Sequence, residues 1–305
     1  MAPPATTPPF MGSTRAQSPA GFTAAIFGAP HGTPYPGIDN RLHRGAPDAF
    51  RMALCDDIDW LDHWDWDLGG PLLKHGQAVC DLGNLKTKPQ DGPGNRQLIE
   101  STTRGILEAG AVPIMFGGDD SVPIPFIAAF SNQPAIVILQ IDAHIDWRND
   151  RQGESMGFSS TMRRASEHGH VWRIVQAGAR GLGSAREQEV RDAMTWGAHI
   201  VTSRAIHHKG VEEVLKHIPE DCDCVISLDC DALDSSVMPA VAYPSPGGLS
   251  YTQVTDLVSG VAAKARIAGF CMVEFVPLRD RMKTAAFTAA RIAANVIGRL
   301  RTSGD

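Results

Sequence analysis

No pair of cysteines in this sequence has C-x-x-C spacing, and that absence removes both a zinc ribbon and a thioredoxin-like redox centre. The six that are present, Cys55, Cys80, Cys222, Cys224, Cys230 and Cys271, sit mostly in apolar runs and read as reduced core thiols of a cytosolic protein. Nor is any apolar segment long enough to cross a bilayer. Positive charge is scarce: 28 Lys and Arg against 34 Asp and Glu leave a net charge of -6. That balance argues against nucleic acid or a membrane surface as partner and is compatible with a small cationic substrate. Residues 1–21 lack both the apolar core of a secretory signal and the Arg-rich pattern of a transit peptide. Their Pro, Ser and Thr content makes them an expected flexible arm ahead of a single domain over residues 22–305.

Apolar residues are plentiful, at 43% of 305 positions, enough for a full core. Eight short apolar or β-branched runs recur, near Ile26, Val79 and Ile114, from Ala135, Arg173, His199 and Cys224, and from Ala268. Their hydrophobicity is continuous rather than alternating, so both faces are covered, as in a parallel sheet between helical layers. Helix signals lie between them. Asn95 is the expected cap of a helix ending at Gly110, Ser184 and Glu187 form an expected capping box, one helix starts at Ser250, and a last one runs roughly from 282 to 301. The predicted architecture is an open α/β domain.

In open parallel sheets the ligand site lies beyond the carboxyl ends of the strands. The stretch FGGDDSVPIP places Asp119 and Asp120 directly after one run, DAHID places Asp142, His144 and Asp146 after another, and DCD places Asp229 and Asp231 after a third. Glu274 lies near the end of the last. Alternate positions of an extended chain project to one side, so these groups converge on one cavity. Helix capping would account for Asp119 alone. It does not account for the group, because that many carboxylates in one crevice repel unless cations neutralise them. A two-metal site for a hard divalent ion is the economical explanation.

The motifs GGDDS, DAHID, SLDCDALD, PSPGGLS and VEFVP, in this order and spacing, resemble those of the ureohydrolase superfamily of arginases and agmatinases, in its agmatinase-like branch. The resemblance implies a three-layer α/β/α fold with an eight-stranded parallel sheet, two manganese ions (nickel being the alternative), and hydrolysis of a guanidino carbon to urea and an amine. Carried over by motif, Asp142 and Asp229 would bridge the ions, His144 and Asp231 would hold one, and Asp146 would help hold the other. Asp146 would also orient the attacking hydroxide and take its proton, and Glu274 would pair with the guanidinium. Agmatine is the default substrate; a guanidino acid, guanidine or a biguanide such as metformin are the alternatives. The family implies a homo-trimer or hexamer, with apolar C-terminal helices as a possible contact. A non-catalytic subunit in a hetero-oligomer with a homologous chain is a second reading.

Two departures stand out. The family usually has histidine where this chain has Asp120. A carboxylate on the same ion makes the ligand shell one unit more negative, which favours a guanidinium but acidifies water less, so activity is expected to need higher pH. The family's frequent His-Gly pair is here Met156 and Gly157. That leaves Ser159, Ser160 or His31 as candidates to deliver a proton. Arg148 and Arg163 either meet a substrate carboxylate or are simply solvated. His63, amid the carboxylates of DDIDWLDHWDWD, is expected to be structural, Cys230 to point into the core, and His207 and His208 to begin a surface helix.

Overall fold

Alternate residues along the strands enter two separate apolar clusters, and that alternation sets the architecture. In the computed structural model, which describes residues 7–301, Ile26, Ile114, Leu139 and Ile226 belong to one cluster. Phe27, Met115, Ile138 and Val225, their sequence neighbours, belong to the other. The strands are β1 (Thr14–Arg15), β2 (Ala24–Ala29), β3 (Trp64–Asp65), β4 (Gly70–Pro71), β5 (Val79–Asn84), β6 (Val112–Gly117), β7 (Ile136–Ile141), β8 (Val171–Ala179), β9 (His199–Thr202), β10 (Asp223–Asp229) and β11 (Arg266–Val273). Nine form one parallel sheet in the order β1-β5-β2-β6-β11-β10-β7-β8-β9, while β3 and β4 make a separate antiparallel pair.

The helices are α1 (Ala46–Ala53), α2 (Gly92–Glu108), α3 (Pro123–Ala128), α4 (Thr161–Ala165), α5 (Glu187–Trp196), α6 (Ser203–Lys209), α7 (Glu212–Leu215), α8 (Tyr251–Lys264) and α9 (Thr284–Gly298). Phe50, Ile206, Leu215, Val258 and Ile292 bring α1 and α6 to α9 onto one face of the sheet. Ile99, Phe126, Met162 and Ala193 bring α2 to α5 onto the other. The result is a three-layer α/β/α arrangement, and no helix among the described residues is long and apolar enough to cross a membrane.

All eight expected strands are present, and the ninth, β1, is an edge strand of two residues that no apolar run announces. It lies in the segment expected to be a flexible arm. Residues 1–6 of that segment are outside the described residues, but from Phe10 onward the chain is packed: Phe10 is wholly buried, and Thr14 and Arg15 pair with β5. The reason is Asp81 on β5. Its carboxylate accepts from the Phe10 N–H at 2.9 Å, from Arg51 Nε at 2.7 Å and Nη2 at 2.9 Å, and from Arg15 Nη1 at 3.2 Å.

Two helix starts also differ from expectation. α2 is capped by Asp91, which accepts from the Gly94 N–H at 3.0 Å, while Asn95 lies within the helix and ties Gly32 and Lys88 together. At α5 it is Glu189 that accepts the Arg186 N–H, two residues beyond the expected box. The cap at Ser250 holds, with Gln253 completing the capping box of α8. Most apolar residues of α9 between Ala285 and Ile297 are buried within the subunit, while Phe287 is 43% exposed.

Four neighbouring strands, β6, β11, β10 and β7, end level with one another: Met272 pairs with Phe116, Asp229 with Val273, and Leu228 with Ile141. Because adjacent strands are about 4.8 Å apart, whatever follows these four ends is held within one small volume.

The Asp81–Arg51 pair gives a test of the fold. Burial alone would push the Asp81 carboxyl up, but the hydrogen bonds and charge of Arg51 outweigh it and hold the group below its usual value. Asp81→Asn is expected to lower the unfolding free energy by about 3–5 kcal/mol at neutral pH, the cost of stranding a buried charge. The contribution of the ionised group is complete above the ordinary carboxylate pKa near ~4 and is lost as pH falls through the lowered folded value. Urea titrations should therefore show the gap between wild type and variant closing in acid; equal stabilities at pH 7 would refute the role.

Candidate metal centre

The two glycines of GGDD are a steric requirement. A Cβ on Gly118 would lie 2.7 Å from the Pro30 carbonyl oxygen, so only glycine lets β6 leave the sheet beside that loop. From there two hydrogen bonds join the ends of β6 and β11. The Glu274 N–H donates to Gly118 O, and the Asp120 N–H donates to Glu274 Oε1, both at 2.9 Å. At the ends of β7 and β10 each aspartate turns the chain by accepting from the amide two residues on: His144 N–H to Asp142 Oδ1 and Asp231 N–H to Asp229 Oδ1, both at 2.6 Å. The Ala143 N–H crosses to Asp231 Oδ1 at 3.2 Å. On the other side, Gly178 at φ 112 lets β8 pass the Asp142 carbonyl, which a Cβ would meet at 2.7 Å.

Two ligand sets result. Asp120, Asp142 and Asp229 can each offer an oxygen within 4.8 Å of the others, and so can Asp142, His144 and Asp231 with one nitrogen and two oxygens. Asp142 is common to both. All five aspartates of the site and Glu274 are buried. Burial first, and then their mutual charge, pushes Asp120, Asp146 and Asp229 well above the usual carboxylate value, raises Asp142, and raises Glu274 to about 8. His144 moves the other way: burial opposes its charge, but hydrogen bonds to Asp142 and Asp231 lift it to about 12. Its Nδ1 is 3.4 Å from Asp142 and 3.2 Å from Asp231. Such a crowd of acids is stable either protonated or around cations, and Asp120 Oδ2 is buried with no hydrogen-bond partner. An oxygen-rich donor set with one imidazole fits a pair of hard divalent ions.

Asp146 lies outside both sets but lines the same cavity of about 440 Å³, together with Asp120, His144, Asp229, Asp231 and Glu274. Its φ is 49° and that of Glu274 is 64°, both in the left-handed region. Asp119 points elsewhere: its Oδ1 accepts from the Ser121 N–H at 3.1 Å and from the Ser121 hydroxyl. Ser159 and Arg148 also line the cavity. His31 is not among its lining residues and contacts Thr87 at 3.0 Å instead. Arg163 is paired on the surface with Asp192 at 2.8 Å, His63 belongs to a separate Trp-lined surface cavity, and Cys230 is wholly buried.

Three supporting residues escaped sequence reasoning. Gln140 donates from one Nε2 to Asp142 at 2.8 Å and to Asp146 at 2.6 Å. Gln176 donates to the Gln140 carbonyl oxygen and accepts from Trp147 Nε1 at 3.0 Å, which fixes which end of the Gln140 amide faces the acids. A lone glutamine in each of the apolar runs IVILQI and RIVQAGA was the available signal. His43 had none, being 231 residues from its partner. Its Nδ1 meets the Phe275 carbonyl at 3.1 Å, an acceptor only, so that nitrogen carries a proton; its Nε2 faces Glu274 Oε2 at 3.3 Å.

The model of the Arginase family matches residues 22–298. An N(1)-aminopropylagmatine ureohydrolase of Thermus thermophilus is 33% identical over 235 residues, 74% of this chain and 77% of its own length. A mitochondrial guanidino acid hydrolase of Homo sapiens is 26% identical over 73% of this chain and 64% of its own. Among solved structures, proclavaminate amidino hydrolase from Streptomyces clavuligerus superposes with a TM-score of 0.82, covering 97% of each chain at 24% identity, a likeness of fold.

Gln140 holds two acids at once, so Gln140→Leu should lower the affinity for divalent metal about 10- to 100-fold, the usual effect of removing a group that orients ligands. Chelator competition on the folded variant measures this. An unchanged affinity would mean the amide only fills space.

Proposed function

Because this chain belongs to the arginase family and is a hydrolase of guanidino C–N bonds, we propose that it cleaves a small guanidino compound to urea and an amine at a two-metal centre held by Asp120, Asp142, His144, Asp229 and Asp231, with Asp146 beside them. The observation that carries this is the pair of ligand sets joined through Asp142, with Glu274 in the same cavity. The carboxylate-rich donor set favours manganese over nickel.

When bound, the ions would acidify the attacking water and offset the charge of the acids around it. The chain's own residues supply the rest. Glu274, gripped by the Asp120 amide and His43, presents a carboxyl to the planar guanidinium and sets its carbon over the acids. Asp146, one oxygen fixed by Gln140, takes the proton released as the C–O bond forms. It returns that proton to the leaving nitrogen as the C–N bond breaks. Ser159, bonded to the Tyr35 hydroxyl at 2.8 Å, lines the wall near the departing amine. The agmatinase-like reading concerns the guanidinium head. The names of the relatives differ in the tail, one a polyamine and one an acid.

Asp142→Ala should remove most of the bound metal and abolish urea release, since it belongs to both ligand sets. Glu274→Gln should keep about two ions per chain and lose turnover. Asp120→Ala should lose one ion selectively, and Asp120→His should keep both and move the onset of activity to lower pH, because one negative charge leaves the shell. Metal analysis with separate urea and amine assays decides. Full turnover in Asp142→Ala would overturn the assignment.

A further inference from the structure

The floor of the cavity is acidic, but its wall is not. Beyond the strand ends the lining comes from three loops: Arg148, Arg151 and Phe158 after β7, Leu182, Gly183 and Ser184 after β8, and Tyr243 after β10. None of these wall residues is acidic, and two are arginines. Arg151 lies over the Tyr35 ring, 5.2 Å from its centre, and forms no ion pair within 4.0 Å among the described residues. Its backbone is fixed by a bridge to Glu154, with N–H to O distances of 2.9 and 3.2 Å. The Arg148 guanidinium is also held, donating from Nη2 to Ser184 O at 2.7 Å, and its buried Nε, which has no hydrogen-bond partner, forms an ion pair with Glu189 at 4.0 Å. Among the described residues Arg151 is therefore the guanidinium of the wall without an acidic partner.

Two positioned guanidinium groups in one wall are a poor surface for an ammonium and a good one for a carboxylate, which takes charge-assisted hydrogen bonds from arginine. The volume, about 440 Å³, accommodates a chain of several carbons between wall and floor. We propose that the substrate is a guanidino acid, its guanidinium on the acidic floor and its carboxylate received by Arg151, with Arg148 as the second donor. This rests on the reading of the floor as a guanidino-hydrolysing centre. It places a polar selection element in the loop after β7, where the family's His-Gly pair is replaced.

The test uses the metal-loaded full chain and three compounds of matched length: 4-guanidinobutanoate, butylguanidine and agmatine, which end in a carboxylate, a methyl and an ammonium group. Urea release is expected to give kcat/KM in that order, with the acid at least about tenfold above agmatine. Arg151→Gln should lower kcat/KM for the acid roughly 10- to 100-fold, mainly through KM, the effect of losing one hydrogen-bonded charge partner. Turnover of butylguanidine should change little, and Arg151→Lys should keep part of the preference for the acid. Calorimetry with 4-aminobutanoate, the amine product, should show binding weakened about tenfold in Arg151→Gln, a readout independent of turnover. Agmatine as the best substrate, or an equal loss for all three compounds in Arg151→Gln, overturns the acid assignment and leaves the hydrolysis reading standing. Absence of urea from every compound together with absence of 4-aminobutanoate binding overturns both.

Discussion

Mutual repulsion among buried carboxylates is the constraint around which this molecule is built. Asp120, Asp142, Asp146, Asp229, Asp231 and Glu274 share one crevice, all buried. No apolar core would place them together, since each desolvated charge costs several kcal/mol unless compensated. The parallel sheet supplies the geometry that forces them together: four adjacent strands end at one level, and the chain turns there by bonding each aspartate to the amide two residues on. The surrounding polar residues limit the cost. Gln140 spans two of the acids, Gln176 and Trp147 fix Gln140, and Arg180 clamps the Asp231 loop through its backbone carbonyls.

Much of this was legible in the sequence because it is encoded locally. A continuous apolar run is visible as such, and an acidic motif directly after it is placed at the strand end by chain connectivity alone. The parts that were not legible depend on contacts between distant segments. Asp81 anchors Phe10 from 71 positions away, so the Pro-rich start reads as an arm although its middle is packed. His43 reaches Glu274 across the whole domain. The helix starts at Asp91 and Arg186 shifted by a few residues because several capping residues compete there, and the choice is made by tertiary bonds such as that of Asn95 to Gly32.

The cavity divides the work of recognition between two kinds of chain. Its floor is made of strand ends, whose positions are fixed by the sheet, and its wall is made of loops, whose residues change without disturbing the sheet. Asp120, Asp142 and Asp229 stand at strand ends, while Arg148, Arg151 and Tyr243 stand on loops, although the family match over residues 22–298 spans both.

The left-handed backbone at Asp146 and Glu274 sets the chain against its own thermostability. At φ values near 50° and 64° a side chain with a Cβ costs of order 1 kcal/mol or more, whereas glycine relaxes there and asparagine is tolerated. Glycine at either position would therefore gain backbone freedom and lose a carboxylate from the cavity. At these two positions backbone relaxation and the chemistry of the cavity pull in opposite directions, so a substitution chosen for stability alone would take a carboxylate out of the site.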